Sequence, residues 1–125
     1  MHNVLFVCLG NICRSPMAEF MFKEKVAQMG LAEEFTIASA GTSSEEEGNP
    51  VYPPARAELA RHGISCTGKR ARKLTSADYT KFDHILAAES RNVTAALRIF
   101  GGDPEKKVFR ILDFSDRPRD ISDPW

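Results

Sequence analysis

The chain carries no net charge, since its 17 lysines and arginines offset 17 aspartates and glutamates. A balanced surface gives no electrostatic reason to expect nucleic acid or a membrane as partner. No apolar segment approaches the ~20 residues that cross a bilayer, and a soluble cytoplasmic protein is the expectation. The N-terminus MHNVLFVCLG lacks a basic n-region and a small-residue cleavage site, so it reads as a strand rather than a leader. Cysteine is scarce: Cys8, Cys13 and Cys66 are an odd number without the spacing of a disulfide framework. No CxxC or HxxxH pattern offers a zinc site, so no metal is expected and the thiols are read as reduced. Repeats and linkers are also missing, and 125 residues suffice for one core but not two. A single domain over 1–125 follows.

What is present alternates between strand and helix patterns. Residues 3–8 (NVLFVC) are a nearly continuous apolar run suited to a strand buried on both faces. A helix should follow, with Ser15 as its cap, Pro16 in its first turn, apolar residues at helical spacing from Ala18 to Met29, and Gly30 as its stop. FTIASA (35–40) alternates as a second strand. Pro53 and Pro54 open a helix that Gly63 closes, TSAD (75–78) marks a short helix, and DHILAA (83–88) is a third strand. Val93, Ala96, Leu97 and Phe100 lie on one helical face before Gly101 and Gly102, and KVFRIL (107–112) is a fourth strand. The tail DFSDRPRDISDPW reads as loop. The pattern predicts an α/β fold: a four-stranded parallel sheet with helices on both faces, its ligand at the carboxyl ends of the strands.

Cys8 stands at such an end. A loop between a buried strand and a helix N-terminus gathers backbone N–H groups and the positive end of the helix dipole around one point, which suits an anion. A thiol there, beside an arginine, is in surroundings that typically lower its pKa to about 3.5–7.5. Arg14, six positions on, adds a planar fork of donors matched to two oxygens of a phosphoryl group. Gly10 leaves room for the backbone to turn inward. The alternative for Cys8 is a small buried hydrophobe at a strand end; Gly10, Arg14, Ser15 and Pro16 together favour the functional reading. CTGKRAR (66–72) has the same cysteine-to-arginine spacing but no strand before it, and is read as a surface loop. GISCTGKR (63–70) comes close to a Walker motif, yet Arg70 stands where Ser or Thr would hold magnesium.

VLFVCLGNICRSPMAE resembles the active-site segment of the low-molecular-weight protein tyrosine phosphatases. SAGTS (39–43), GNP (48–50), RHGI (61–64), ARKLT (71–75), FDHIL (82–86) and DPW (123–125) extend the resemblance, in order, along nearly the whole chain. It implies that family's three-layer fold and a protein-tyrosine phosphatase that uses no metal and no cofactor. Its substrate would be a phosphotyrosine protein or a small aryl phosphate, hydrolysed through a phosphocysteine intermediate. By the same resemblance Cys8 attacks phosphorus, while Arg14 and the loop formed by Leu9, Gly10, Asn11, Ile12 and Cys13 hold the equatorial oxygens. Ser15 hydrogen-bonds the thiolate, and Asp123 protonates the leaving group and then activates water. Without the resemblance, Asp123 reads as a turn residue before proline. Asn11, Ser39 and His62 match positions that brace the loop from behind, with His62 alternatively a helix-terminal residue favouring the dipole. Cys13 is a candidate disulfide partner for Cys8 under oxidation.

Three departures accompany the resemblance. Family members usually continue past DPW into a C-terminal helix, so the expectation is either a longer natural chain or a sheet face without its usual cover. The latter is a reason to look for a weak homodimer beside the monomer. Glu45 stands near the place of an aromatic ring on the cleft wall, and with Glu46 and Glu47 it would disfavour acidic phosphopeptides, unless the run is only a solvated loop. Trp125, and Tyr52 less directly, remain as aromatic flanks for the substrate cleft. Glu89 replaces an aspartate where the third strand meets its helix, which puts a local cap in doubt. Two rivals compete: a phosphate- or phosphotyrosine-binding module with little turnover, and an arsenate reductase, which needs a further cysteine pair that this chain lacks.

Overall fold

Continuous hydrophobicity in the first strand demands cover on both sides, and it receives it. In the computed structural model, described over residues 1–121, β1 (His2–Cys8) leads to α1 (Arg14–Gln28), a 3-10 turn (Ala32–Glu34) and β2 (Phe35–Gly41). Next come α2 (Pro53–Arg61), α3 (Ala77–Lys81), β3 (His84–Ala87), α4 (Ser90–Phe100), β4 (Val108–Arg110) and a second 3-10 turn (Ile111–Phe114). The strands form one parallel sheet in the order β2-β1-β3-β4. This is the α/β architecture expected, and it places β1 at the centre, where the strand order reverses. Cys8 therefore ends the strand at the position where open parallel sheets hold their ligands.

Register sorts the side chains. Leu5, Val7, Ala40, Ile85, Ala87 and Val108 face α4 and share a core with Leu74, Phe82 and Ala96. Val4, Phe6 and Ile37 face the other way, against Val26 of α1 and beside Phe22 and Leu86. A third cluster of Val51, Ala55 and Leu59 with Cys13 and Cys66 seats α2 beside the start of α1. On the α1 side an apolar groove of about 700 Å³ opens over β1 and β3, with Phe22, Ile111 and Phe114 in its walls. Among the described residues no helix is long and apolar enough to cross a membrane.

Several local expectations are corrected. Ser15 is not a cap: α1 begins at Arg14, Cys13 occupies the cap position, and no side chain caps it. β4 is three residues long rather than six, because the Asp113 carboxylate accepts the Arg110 N–H at 2.8 Å and its Nε at 2.9 Å. That local bond draws the chain out of the ladder and into the 3-10 turn, which takes in the start of the tail expected to be loop. Glu89 does sit at the N-cap of α4, where the Asn92 side chain accepts its N–H at 3.1 Å. The segment 66–72 is not a plain surface loop, since Cys66 and Ala71 are buried. Its backbone runs beside the end of β2, with Gly41 N–H donating to Arg72 O at 2.8 Å and Leu74 N–H to Gly41 O at 2.7 Å.

Candidate active site

The chain leaves β1 at Cys8 and enters α1 six residues later, and the loop between them is held by its carbonyls. Cys8 O accepts Thr42 N–H at 3.0 Å, Leu9 O accepts Ser43 N–H at 3.0 Å, and Ile12 O accepts Tyr52 N–H at 2.7 Å. In a trans peptide the N–H points opposite to the C=O. The N–H groups of Leu9, Gly10 and Cys13 are thereby turned away from those partners. A cavity of about 150 Å³ lies there, lined by Cys8, Leu9, Gly10, Ile12, Cys13 and Arg14 and walled by Glu45 and Glu46. Asn11 takes the left-handed backbone that such a ring needs, at φ 58°. Its N–H donates to Cys8 Sγ at 3.3 Å.

Cys8 is buried, and Ser15 Oγ lies 3.0 Å from its sulfur. Asn11 Nδ2 donates to Ser15 Oγ at 2.8 Å and to Ser39 Oγ at 2.9 Å. Cys8, Asn11, Ser15 and Ser39, separate in sequence by up to 31 positions, thus form one hydrogen-bonded chain. Arg14 is buried too: its Nη1 donates to Ile121 O at 2.9 Å and lies 3.2 Å from a Glu89 carboxylate oxygen. The tail is anchored just before Ile121, where Asp120 Oδ1 accepts Ser90 N–H at 2.7 Å, Ser90 Oγ at 2.9 Å and Arg110 Nη1 at 3.2 Å. The Ser90 N–H and hydroxyl, then the guanidinium, hold the Asp120 carboxyl below its ordinary range.

His62 is not part of this chain. It ends α2 in the open, with its Nε2 3.5 Å from Glu58 on the same helix, as the helix-terminal alternative had it. The bracing expected of it falls instead to Glu19, whose Oε1 accepts the Ser39 hydroxyl at 2.5 Å, and to Lys69, whose Nζ donates to Ser39 O at 3.1 Å. Glu19 had a faint signal in the sequence, as the acid one turn after Ser15 on a face that is otherwise apolar; Lys69 had none. Cys13 is buried and packed with Val51 and Cys66, and neither it nor Cys8 is joined in a disulfide. Leu9 is half exposed on the cavity rim, while Tyr52 lines a neighbouring cavity of about 550 Å³ that shares Ile12 and Glu46 with the first. Asp123 and Trp125 lie outside the described residues. Among the described residues no group of three or more His, Cys, Asp or Glu is placed to hold a metal ion.

A buried thiol that accepts the Asn11 N–H and shares its cavity with a buried guanidinium, at the end of an interior strand of a parallel sheet, defines the class: an α/β protein with a cysteine–arginine loop at the carboxyl edge of its sheet. A family model described as low molecular weight phosphotyrosine protein phosphatase matches residues 3–125. The low molecular weight protein-tyrosine-phosphatase YfkJ of Bacillus subtilis is 38% identical over the whole chain, which spans 81% of that relative. A low molecular weight phosphotyrosine protein phosphatase of Schizosaccharomyces pombe is 46% identical over 98% of this chain and 80% of its own length. The crystal structure of YfkJ superposes with a TM-score of 0.95 over 99% of this chain and 79% of that one, at 39% identity. The chain belongs to the low molecular weight protein-tyrosine phosphatase family.

Proposed function

We propose that the chain hydrolyses phosphotyrosine in proteins, and small aryl phosphates, through a phosphocysteine intermediate formed on Cys8. The observation that carries this reading is the sulfur's setting: Sγ at the carboxyl end of β1, with Ser15 Oγ at 3.0 Å and the Asn11 N–H at 3.3 Å, facing a cavity that Arg14 also lines. In the first step Cys8 Sγ forms a bond to phosphorus as the bond to the phenolic oxygen breaks, and Asp123 gives that oxygen its proton. In the second, water adds to phosphorus with its proton passing to Asp123, the S–P bond breaks, and inorganic phosphate leaves. Arg14 and the N–H groups of Leu9, Gly10 and Cys13 supply positive charge to the equatorial oxygens in both steps, which is why no metal is needed in this scheme. Glu89 and Ile121 O hold Arg14 in place for it.

The test is hydrolysis of p-nitrophenyl phosphate with EDTA present, by this chain and by Cys8→Ser. The expected result is chelator-resistant turnover that vanishes with the sulfur and is inhibited by vanadate. Binding of vanadate without turnover by the unmodified chain would instead make it a phosphate-binding module.

A further inference from the structure

The segment Cys66–Arg72 has no part in the steps above, yet it sends a lysine inward. Lys69 Nζ donates to Ser39 O at 3.1 Å and lies 3.6 Å from Glu19 Oε1. Glu19 is only 4% exposed, and its other oxygen takes Lys23 Nζ at 2.6 Å. Burial pushes the Lys69 ammonium down from its ordinary value, against the pull of the Glu19 charge. A buried carboxylate stays ionised only when paired, and an ionised carboxylate can only accept hydrogen bonds.

Directions then propagate. Ser39 spends its one hydrogen on Glu19 Oε1 at 2.5 Å, so towards Asn11 it can only accept. Asn11 Oδ1 is occupied by the Arg72 N–H at 3.0 Å, which fixes the amide with both Nδ2 hydrogens facing Ser39 and Ser15. Ser15 Oγ accepts one of them, leaving its own hydrogen for Cys8 Sγ at 3.0 Å.

We propose that Lys69, acting through Glu19, is a positioning residue: the ion pair of Lys69 with the buried Glu19 locks the chain Glu19–Ser39–Asn11–Ser15 in the orientation that presents the Ser15 hydroxyl hydrogen to Cys8 Sγ. The inference rests on the phosphocysteine reading and divides its two steps. When water displaces sulfur, Cys8 Sγ takes back the electron pair of the S–P bond, and the Ser15 O–H stabilises the departing thiolate. When sulfur attacks, the same hydrogen bond already exists in the free enzyme and offers the transition state little more. Loss of orientation slows phosphoenzyme hydrolysis, so it falls on kcat as that step comes to limit turnover, and spares kcat/KM, which ends at P–O cleavage. A merely structural role would loosen the loop, weakening phosphate binding and kcat/KM together.

The experiment is a pre-steady-state p-nitrophenol burst with p-nitrophenyl phosphate, with kcat, kcat/KM and the inhibition constant of inorganic phosphate, for the whole chain and Lys69→Met. The expected result is a kcat about ten- to a hundredfold lower, the worth of one hydrogen bond to a charged group, with kcat/KM held within about threefold and a burst amplitude rising towards one per Cys8. Lys69→Arg keeps the cation and restores kcat. Ser39→Ala cuts the chain and leaves the ion pair, so it must show the same split, and it carries the test if Lys69→Met does not fold. Unchanged kcat in both variants overturns the inference, as does a parallel fall in kcat, kcat/KM and phosphate affinity. A parent chain with no turnover dependent on Cys8 refutes the phosphocysteine reading and this inference together; a normal parent burst with unaltered variants refutes this inference alone.

Discussion

Gly41 has no room for a side chain. A Cβ there would stand 2.8 Å from Leu9 O and 3.1 Å from the carbonyl carbon of Gly10, both backbone atoms of the loop that cannot swing aside. At Gly10, by contrast, the nearest atom would be the flexible Glu46 Cγ at 3.3 Å. Gly10 leaves room for the loop to turn inward, but the close approach that requires glycine is at Gly41, on the neighbouring strand. Gly41→Ala is predicted to cost about 1–3 kcal/mol of stability, the usual range for overpacking, and to weaken phosphate inhibition as the loop is pushed outward. Denaturant unfolding and a phosphate inhibition constant check both, and a variant equal to the parent in each would refute the close-approach argument. At this scale Cys8, Arg14, Ser15 and Asn11 were legible because they share one short segment whose chemistry is local. Glu19, Lys69 and Glu89 acquire their roles only from neighbours distant in the chain.

Among the elements, the segment 119–121 binds the molecule most closely to its chemistry. Asp120 clasps the N-terminus of α4 through Ser90 and reaches Arg110, Ile121 N–H donates to Ala88 O at 2.7 Å, and Ile121 O meets Arg14. This clasp stands three residues before Asp123. Asp120→Ala is predicted to slow phosphate esters of poor leaving groups by about tenfold or more while sparing those of good ones, a loss on the scale of a displaced general acid. A Brønsted plot of kcat/KM against leaving-group pKa measures it, and an unchanged slope would separate the clasp from proton delivery. The sign of the pH effect follows from the lowered Asp120 carboxyl. Its contribution to folding is complete above the unfolded value of about 3.9 and is lost as pH falls through the lower folded value. The clasp therefore persists into mild acid. Composition showed this tail as loop, and much of it is; its anchoring was invisible because a single aspartate near a proline is ordinary in any turn.

The whole molecule is electrically neutral, but the cavity mouth is not. Glu45 and Glu46 line the same cavity as Cys8 and Arg14, so a substrate's residues beside the phosphate meet two carboxylates rather than the balanced total. Phosphopeptides with lysine or arginine beside the phosphotyrosine are predicted to show higher kcat/KM than acidic ones. The preference should shrink as salt shortens the screening length below about 8 Å, and fall in a Glu45→Gln, Glu46→Gln variant. Equal rates for both peptides at low ionic strength would reduce the acidic run to a solvated loop.

By itself the sequence determined the order of strands and helices, the parallel sheet and the place of Cys8 at the end of β1, because period, glycine stops and a strand-to-helix loop are properties of neighbouring residues. It also carried the family, through motifs spread in order along the chain. Only the tertiary structure decided what stands behind the loop. Helical spacing could bring Glu19 towards Ser15, but Ser39, Lys69 and the Arg72 N–H meet there because parallel pairing of β1 with β2 brings Ser39 beside Phe6 and the 66–72 segment runs along the end of β2. A lysine in a basic stretch becomes the partly buried counter-ion of a buried carboxylate, and a histidine at a helix end stays in water, for one reason: burial and pairing belong to the packed molecule and have no period in the chain.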